Sequence, residues 1–199
     1  MDRQAALKLM HDHVEAPGLR RHMLAVEAAM AFYAERLGGD VEHWRLAGLL
    51  HDFDWEVHPT LEEHPAKGAP ILRQHGCPEV VVRAILAHNT AGTGVERAAP
   101  IDYALLACDE ITGLIIAAAL VRPSKDLREV KIKSVKKRWK SRVFAAGVHR
   151  EEVAQATDEF SAACFDGELE LWQHVENVLQ AMQSAAAELD LDGRLAEPA

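Results

Sequence analysis

The segment from Ile101 to Val121 is strongly apolar at helical spacing, and Asp109, Glu110 and Thr112 interrupt its middle. A helix this apolar has to be enclosed by other elements, so the chain needs several helices around one core. Other signals along the chain are helical too. Pro17-Gly18 breaks the chain, after which Leu24, Ala28, Ala31 and Ala34 recur at helical spacing up to a Gly38-Gly39 stop. Asp40 can cap a second helix through Leu50 and His51. A loop with Pro59 follows, then a helix over His64 to His75 closed by Gly76. Pro78 opens a helix carrying Val81, Val82, Ile85, Leu86 and His88. Asn89 to Pro100, with Gly92 and Gly94, reads as a loop, and two further helices fit Arg150 to Ala163 and Glu168 to Leu189. No strand alternation, internal repeat or low-complexity linker is visible. The expectation is an all-α, single-domain helical bundle over residues 18–185. A helical segment over 1–17, with a mobile end around His11 and His13, would precede it, and a frayed tail over 186–199 would follow.

At 199 residues, with 49% hydrophobic and 27% charged side chains, the chain can build one well-cored domain. No stretch approaches about 18 uninterrupted apolar residues, and Met1-Asp2-Arg3-Gln4 does not begin a secretory signal, so no membrane association is expected. Cys77, Cys108 and Cys164 are too few and too scattered for a disulfide framework, which makes the cytoplasm the natural compartment. The net charge of −9 is unevenly spread. Arg122 to Arg142 holds ten Lys/Arg against Asp126 and Glu129, a local +8 that leaves −17 for the remainder. A globally acidic chain makes a poor general nucleic-acid binder. The basic segment suits either a small phosphorylated partner or a solvated helix balancing the acidic surface. Nothing excludes a homo-oligomer.

Chemistry is concentrated around His51-Asp52, which ends the apolar run Leu46-Ala47-Gly48-Leu49-Leu50. Other candidate ligands lie at intervals: His22 upstream, then His64, His88 and Asp109 downstream. Imidazole nitrogen with carboxylate oxygen suits a divalent ion such as Mn, Fe, Co, Ni or Zn. Each candidate also has a bland explanation. Asp109 could cap a helix or pair with an arginine, His22 could be a satisfied core histidine, and His64, between Glu63 and Pro65, could be a surface residue. His43, His75, His149 and His174 sit in amphipathic or loop contexts, while His58 stands close enough to the pair to line a site.

The order His22, His51-Asp52, Asp109 resembles the HD-domain superfamily of metal-dependent phosphohydrolases, an all-helical family. The stretches Arg21-His22-Met23-Leu24-Ala25-Val26-Glu27, Gly48-Leu49-Leu50-His51-Asp52-Phe53-Asp54 and Cys108-Asp109-Glu110-Ile111-Thr112-Gly113-Leu114 are similar to its small bacterial predicted-hydrolase branch. Arg122-Pro123-Ser124-Lys125 and Lys133-Ser134-Val135-Lys136-Lys137 fit the same branch, so the likeness covers about residues 18 to 185. The resemblance implies one or two divalent ions, Mg included among the candidates. One ion would take His22, His51, Asp52 and Asp109; a second would take Asp52, His64 and His88, with Asp52 bridging. The twelve-position interval from Asp52 to His64 must then contain a loop that turns back toward the site.

A bound divalent ion makes hydroxide available near neutral pH and neutralises phosphoryl oxygens, which phosphomonoester or phosphodiester hydrolysis requires. Beside Asp52, either Asp109 or Asp54 could orient the attacking water. Asp54, two residues past the pair, is also placed to hold a metal-bound histidine. Lys67, on the His64 helix face, and Lys125, Lys133 and Lys137 of the basic segment are candidate phosphate contacts. Two other functions stay open: a dinuclear-iron oxygenase of the same ligand order, and a non-catalytic metal-stabilised regulatory module.

Overall fold

The computed structural model describes residues 1–196 and is helical throughout, with no strand among the described residues. The chain divides into two compact units, one ending at Leu106 and one beginning at Ala107. The first unit contains α1 (Arg3–His13), α2 (Pro17–Leu37), α3 (Val41–Leu50), α4 (Ala69–Gln74), α5 (Glu79–Ala87) and α6 (Thr90–Thr93). The long helix α7 (Pro100–Leu120) begins there and continues into the second unit.

Local chemistry sets these boundaries. The Asp2 carboxylate accepts from the Ala5 N–H at 2.8 Å and the Asp40 carboxylate from the His43 N–H at 3.0 Å, each capping orphan donors at a helix start. Pro17 occupies the first turn of α2, where its missing N–H costs nothing, and Gly38 ends the helix in a left-handed conformation. The expected helix over His64 to His75 is realised only from Ala69 to Gln74; residues 51–68 form successive turns instead. The expected loop over Asn89 to Pro100 contains the short α6, whose first turn Asn89 caps by accepting from the Gly92 N–H at 3.0 Å.

α2 and α3 pack against each other most extensively, and α3 also lies against α1 and α5. Met23, Val26, Met30, Tyr33, Leu49 and Leu50 are fully buried there, each large aliphatic contributing about 1.5–3 kcal/mol. Gly48 makes the closest crossing possible. A Cβ at Gly48 would fall 2.7 Å from the Glu27 amide nitrogen and 2.8 Å from the Val26 carbonyl carbon, which are backbone atoms that cannot swing aside. Gly48→Ala should therefore destabilise the fold by about 1–3 kcal/mol despite alanine's intrinsic helical advantage of about 1 kcal/mol. A thermal melt with an unchanged midpoint would refute this account of the crossing.

The expected mobile N-terminal segment is instead packed. Leu9, Met10 and Val14 are buried, His13 stacks edge-on against Phe53 at 5.4 Å, and Arg3 pairs with the buried Glu27. Their apolar side chains supply the reason, since α1 covers one side of α3.

The second unit holds the rest of α7, a 3-10 turn (Leu127–Glu129), α8 (Ile132–Trp139), α9 (Arg150–Cys164) and α10 (Leu171–Ser184). Val135, Phe160, Val175, Val178 and Met182 are buried within it. His174 is fully buried, and its Nε2–H donates to the Ala107 carbonyl at 2.8 Å; burial lowers its pKa to about 4, so it is a neutral core residue. The tail from residue 186 was expected to fray. Up to Leu191 it does not: Ala186, Leu189 and Leu191 are buried, and the Leu191 carbonyl accepts from the Leu127 N–H at 2.7 Å. Positions 197–199 of that expected tail lie outside the described residues. By length and composition α7 could cross a membrane, but 61% of that stretch is buried inside the protein, as in any apolar core helix.

Candidate metal centre

The apolar run Leu46–Leu50 anchors α3 in the core and leaves His51 as its C-terminal cap, with Asp52 in the first turn beyond. His51 is fully buried and donates through Nδ1 to the Gly48 carbonyl at 2.9 Å. Its Nε2 is thereby left with a lone pair. That nitrogen lies 3.2 Å from Nε2 of His22, which projects from α2, and 3.4 Å from Oδ2 of Asp52; His22 Nε2 is 3.8 Å from the same oxygen.

The other carboxylate oxygen faces a second pair. Oδ1 of Asp52 lies 3.2 Å from Nε2 of His64 and 3.9 Å from Nε2 of His88, and these two nitrogens are 3.1 Å apart. His64 engages the Asp54 carboxylate through Nδ1 at 2.7 Å, and His88 engages the Ile85 carbonyl through Nδ1. Both Nδ1 positions therefore carry a proton, and both Nε2 atoms face Asp52. Lone pairs and a carboxylate turned toward one another repel unless a cation or extra protons sit among them. Two groups meet this description, His22–His51–Asp52 and Asp52–His64–His88, with the donor atoms of each within 4.8 Å of one another. Each could hold a metal ion, and they share Asp52.

The electrostatics agree. Burial alone would raise the Asp52 carboxyl, but the facing rings of His51, His64 and His22 outweigh it and hold Asp52 well below the usual carboxylate range. Burial likewise opposes charge on His64, yet hydrogen bonds and charge from Asp52 and Asp54 raise it to about 9. A group of histidines thus surrounds a committed anion that is 18% exposed, open enough for a ligand to reach.

His64 comes from a turn, so other residues must hold it. Nδ2 of the buried Asn89 donates to the carbonyls of Leu61 and His64, both at 2.7 Å, which pins the turn to the start of α6. Trp55 packs edge-on against the His64 ring at 5.1 Å. Gly68 lets the chain pass beside Asp54: a Cβ there would lie 2.5 Å from the Asp54 carboxylate. Asn89 and Gly68 did not stand out in the sequence. Their only local signals are an asparagine before a helix and a glycine close behind a histidine.

The structure thus brings together His22, His51, Asp52, His64 and His88, with Asp54 behind His64. Asp54 contacts a ring nitrogen of His64, which places it to orient that ring. Asp109 belongs to the second unit, half-buried on α7, where its carbonyl accepts from the Thr112 hydroxyl at 2.7 Å. Lys67 is not on a helix with His64; it is exposed and ion-paired with Glu63. Lys125, Lys133 and Lys137 lie in the second unit. His58 stands 3.8 Å from the Glu63 carboxylate and belongs to neither group. The three cysteines are free; burial pushes Cys77 up to about 11 and raises Cys108 and Cys164, which leaves none poised as a thiolate.

An all-helical scaffold whose two imidazole pairs share one aspartate defines a class of candidate metal-binding protein. The HD domain family matches residues 19–135, and the chain belongs to that family. Among curated proteins it is similar to ribonuclease Y of Cutibacterium acnes, 31% identical over 93 residues, which is 46% of this chain and 17% of that protein. It is also similar to ribonuclease Y 2 of Levilactobacillus brevis, 34% identical over 96 residues, again 46% of this chain and 17% of the relative. Ribonuclease Y of Pseudothermotoga lettingae is 35% identical over 69 residues, 34% of this chain and 14% of that protein. The match therefore spans under a fifth of each relative's length. No solved structure matches the chain significantly.

Proposed function

We propose that this chain is a divalent-metal-dependent phosphohydrolase that takes two ions and hydrolyses a phosphomonoester or phosphodiester of a nucleotide or similar small metabolite. The observation that carries this reading is the division of the Asp52 carboxylate, one oxygen toward His22 and His51 and the other toward His64 and His88. A carboxylate shared between two imidazole pairs is a donor arrangement that suits a two-metal hydrolytic site. His22, His51 and Asp52 would hold one ion, and Asp52, His64 and His88 the other. Bound there, the ions would supply hydroxide at neutral pH and charge neutralisation for the phosphoryl oxygens.

The residues of the chain do the rest. Gly48, Ile85 and Asp54 fix three imidazole orientations through the Nδ1 hydrogen bonds, so the donors are set before a ligand arrives. Asp54 raises the electron density of the His64 ring. Burial of His51 and His64 excludes water from behind the donors. The ribonuclease Y relatives carry a name that implies a phosphodiester substrate, which places short oligoribonucleotides beside nucleotides and sugar phosphates in the substrate panel.

The test is metal content by elemental analysis together with phosphate release or diester cleavage across that panel, before and after chelation. The expected result is close to two ions per chain and turnover that disappears with the metal. Iron-dependent oxygen consumption with no phosphate-ester turnover, or metal held without any turnover, would overturn the reading.

A further inference from the structure

A second polar cluster lies in the second unit and plays no part in the chemistry above. Ser134, Lys137 and Arg138 are spaced three and four residues apart on α8, so they share one face. Ser141 and Phe144 follow in the turns after that helix, and the five residues line a cavity of about 280 Å3. From 130 to 150 the chain has no acidic residue. Nearby Arg142 is answered by Glu151, and Lys136 lies over the Trp172 ring at 5.1 Å. Lys137 and Arg138 have no carboxylate partner among the described residues. The Arg138 guanidinium carbon lies over Phe144, 4.7 Å from the ring centroid, and the Nε is shielded from solvent without any acceptor. A shielded charged donor left without an acceptor is costly; the Nε atoms of Arg45, Arg122 and Arg150 share that state, but Arg138 is the one whose side chain lines this cavity.

We propose that the cavity binds the phosphoryl group of a small molecule. A tetrahedral oxyanion can accept from a guanidinium, an ammonium and two hydroxyls at once, and these are the polar groups supplied here. Phe144 offers an apolar wall for the carbon skeleton the phosphate is attached to. The volume lies near the lower end of small-ligand clefts, which run from about 300 Å3 upward, and suits a phosphate ester of sugar size. Cations in the last turn of α8 also favour the negative end of the helix dipole. That effect explains their charge but neither the shielded Nε nor the two hydroxyls. A nucleic-acid strand is the weaker fit, because the chain carries −9 overall and these groups are gathered in a concavity. The proposal does not depend on the metal-centre chemistry and holds if that reading fails.

Calorimetric titration of the full chain with inorganic phosphate and with glucose 6-phosphate tests it, using wild type, Lys137→Glu, Arg138→Gln and Asp52→Ala. Lys137 is exposed, so its replacement leaves the fold intact should Arg138→Gln disturb the packing on Phe144. Binding should persist in Asp52→Ala and weaken by roughly tenfold or more in Lys137→Glu and Arg138→Gln, the scale of a lost charge-assisted hydrogen bond. The phosphate has two possible sources, and both support the site. A raised KM at constant kcat in Lys137→Glu identifies the substrate's own phosphate; an unchanged KM with phosphate altering the rate identifies a separate ligand. No binding at millimolar phosphate, equal binding in Lys137→Glu, or loss only in Asp52→Ala would overturn the proposal. So would tighter binding of a short RNA that depends equally on Lys131, Lys133 and Lys140.

Discussion

Replacing Asp52 by alanine is expected to strip metal from both clusters at once and to lower turnover by about three orders of magnitude or more. That is the scale of losing Lewis-acid stabilisation worth several kcal/mol, at 1.36 kcal/mol for each tenfold in rate. Among the described residues Asp52 is the only group with an oxygen in each cluster, so no single histidine substitution should match it. Asp54→Asn is the informative control. Asp54 touches His64 through Nδ1, and its replacement preserves shape while removing the charge that orients that ring. Loss of such an orienting partner costs about 10–100-fold in metal affinity or activity. The loss should fall on the His64–His88 cluster and spare the His22–His51 cluster. Elemental analysis of both variants decides the matter: equal metal loss, or full retention in Asp52→Ala, would show that Asp52 is not the shared ligand.

The adjacency of His51 and Asp52 behind five apolar residues was legible because it is local. An apolar helix entering the core fixes where its last residues emerge, whatever surrounds it. His22 and His88 were legible for the same reason, since each sits on or beside an amphipathic helical stretch. The setting of His64 was not. Helical spacing placed it on a helix with Lys67, whereas the chain turns back after Asp54 and reaches His64 through hydrogen bonds made by Asn89, 25 residues later. Nothing in the neighbourhood of Asn89 encodes that distant partner. Gly68 was silent on the same ground, because its need for a missing Cβ arises from Asp54 across the turn. The packed ends of the chain failed for a different reason. Leu9, Met10, Leu189 and Leu191 carry the apolar signal, but nothing local to a terminal stretch says which surface it will cover. Asp109 is legible as a carboxylate in an apolar helix, where the structure places it half-buried on α7.

The number of ions turns on His64 and His88, and each replaced by alanine should lower occupancy from about two toward one per chain. The His22–His51–Asp52 cluster keeps all its donors in either variant, so the remaining ion should bind as it does in wild type. The second cluster should also be the weaker. His64 stands at about 9 because Asp52 and Asp54 stabilise its proton, so at neutral pH an ion must displace that proton to use the ring. The sign follows directly: below about 9 the proton competes more strongly as pH falls, and affinity of this cluster decreases. Titrating metal into chelator-treated protein at pH 6 and pH 8 should show the second equivalent binding more tightly at pH 8. In Asp54→Asn the pH dependence should be smaller, because the proton on His64 has lost one of its two stabilising carboxylates. Constant metal content in His64→Ala and His88→Ala, with turnover reduced, would mean a single ion and two histidines that act on water or phosphate instead. The two Nε2 atoms stand 3.1 Å apart, a distance bridged by the proton His64 carries at neutral pH, and an ion entering this cluster would take that proton's place.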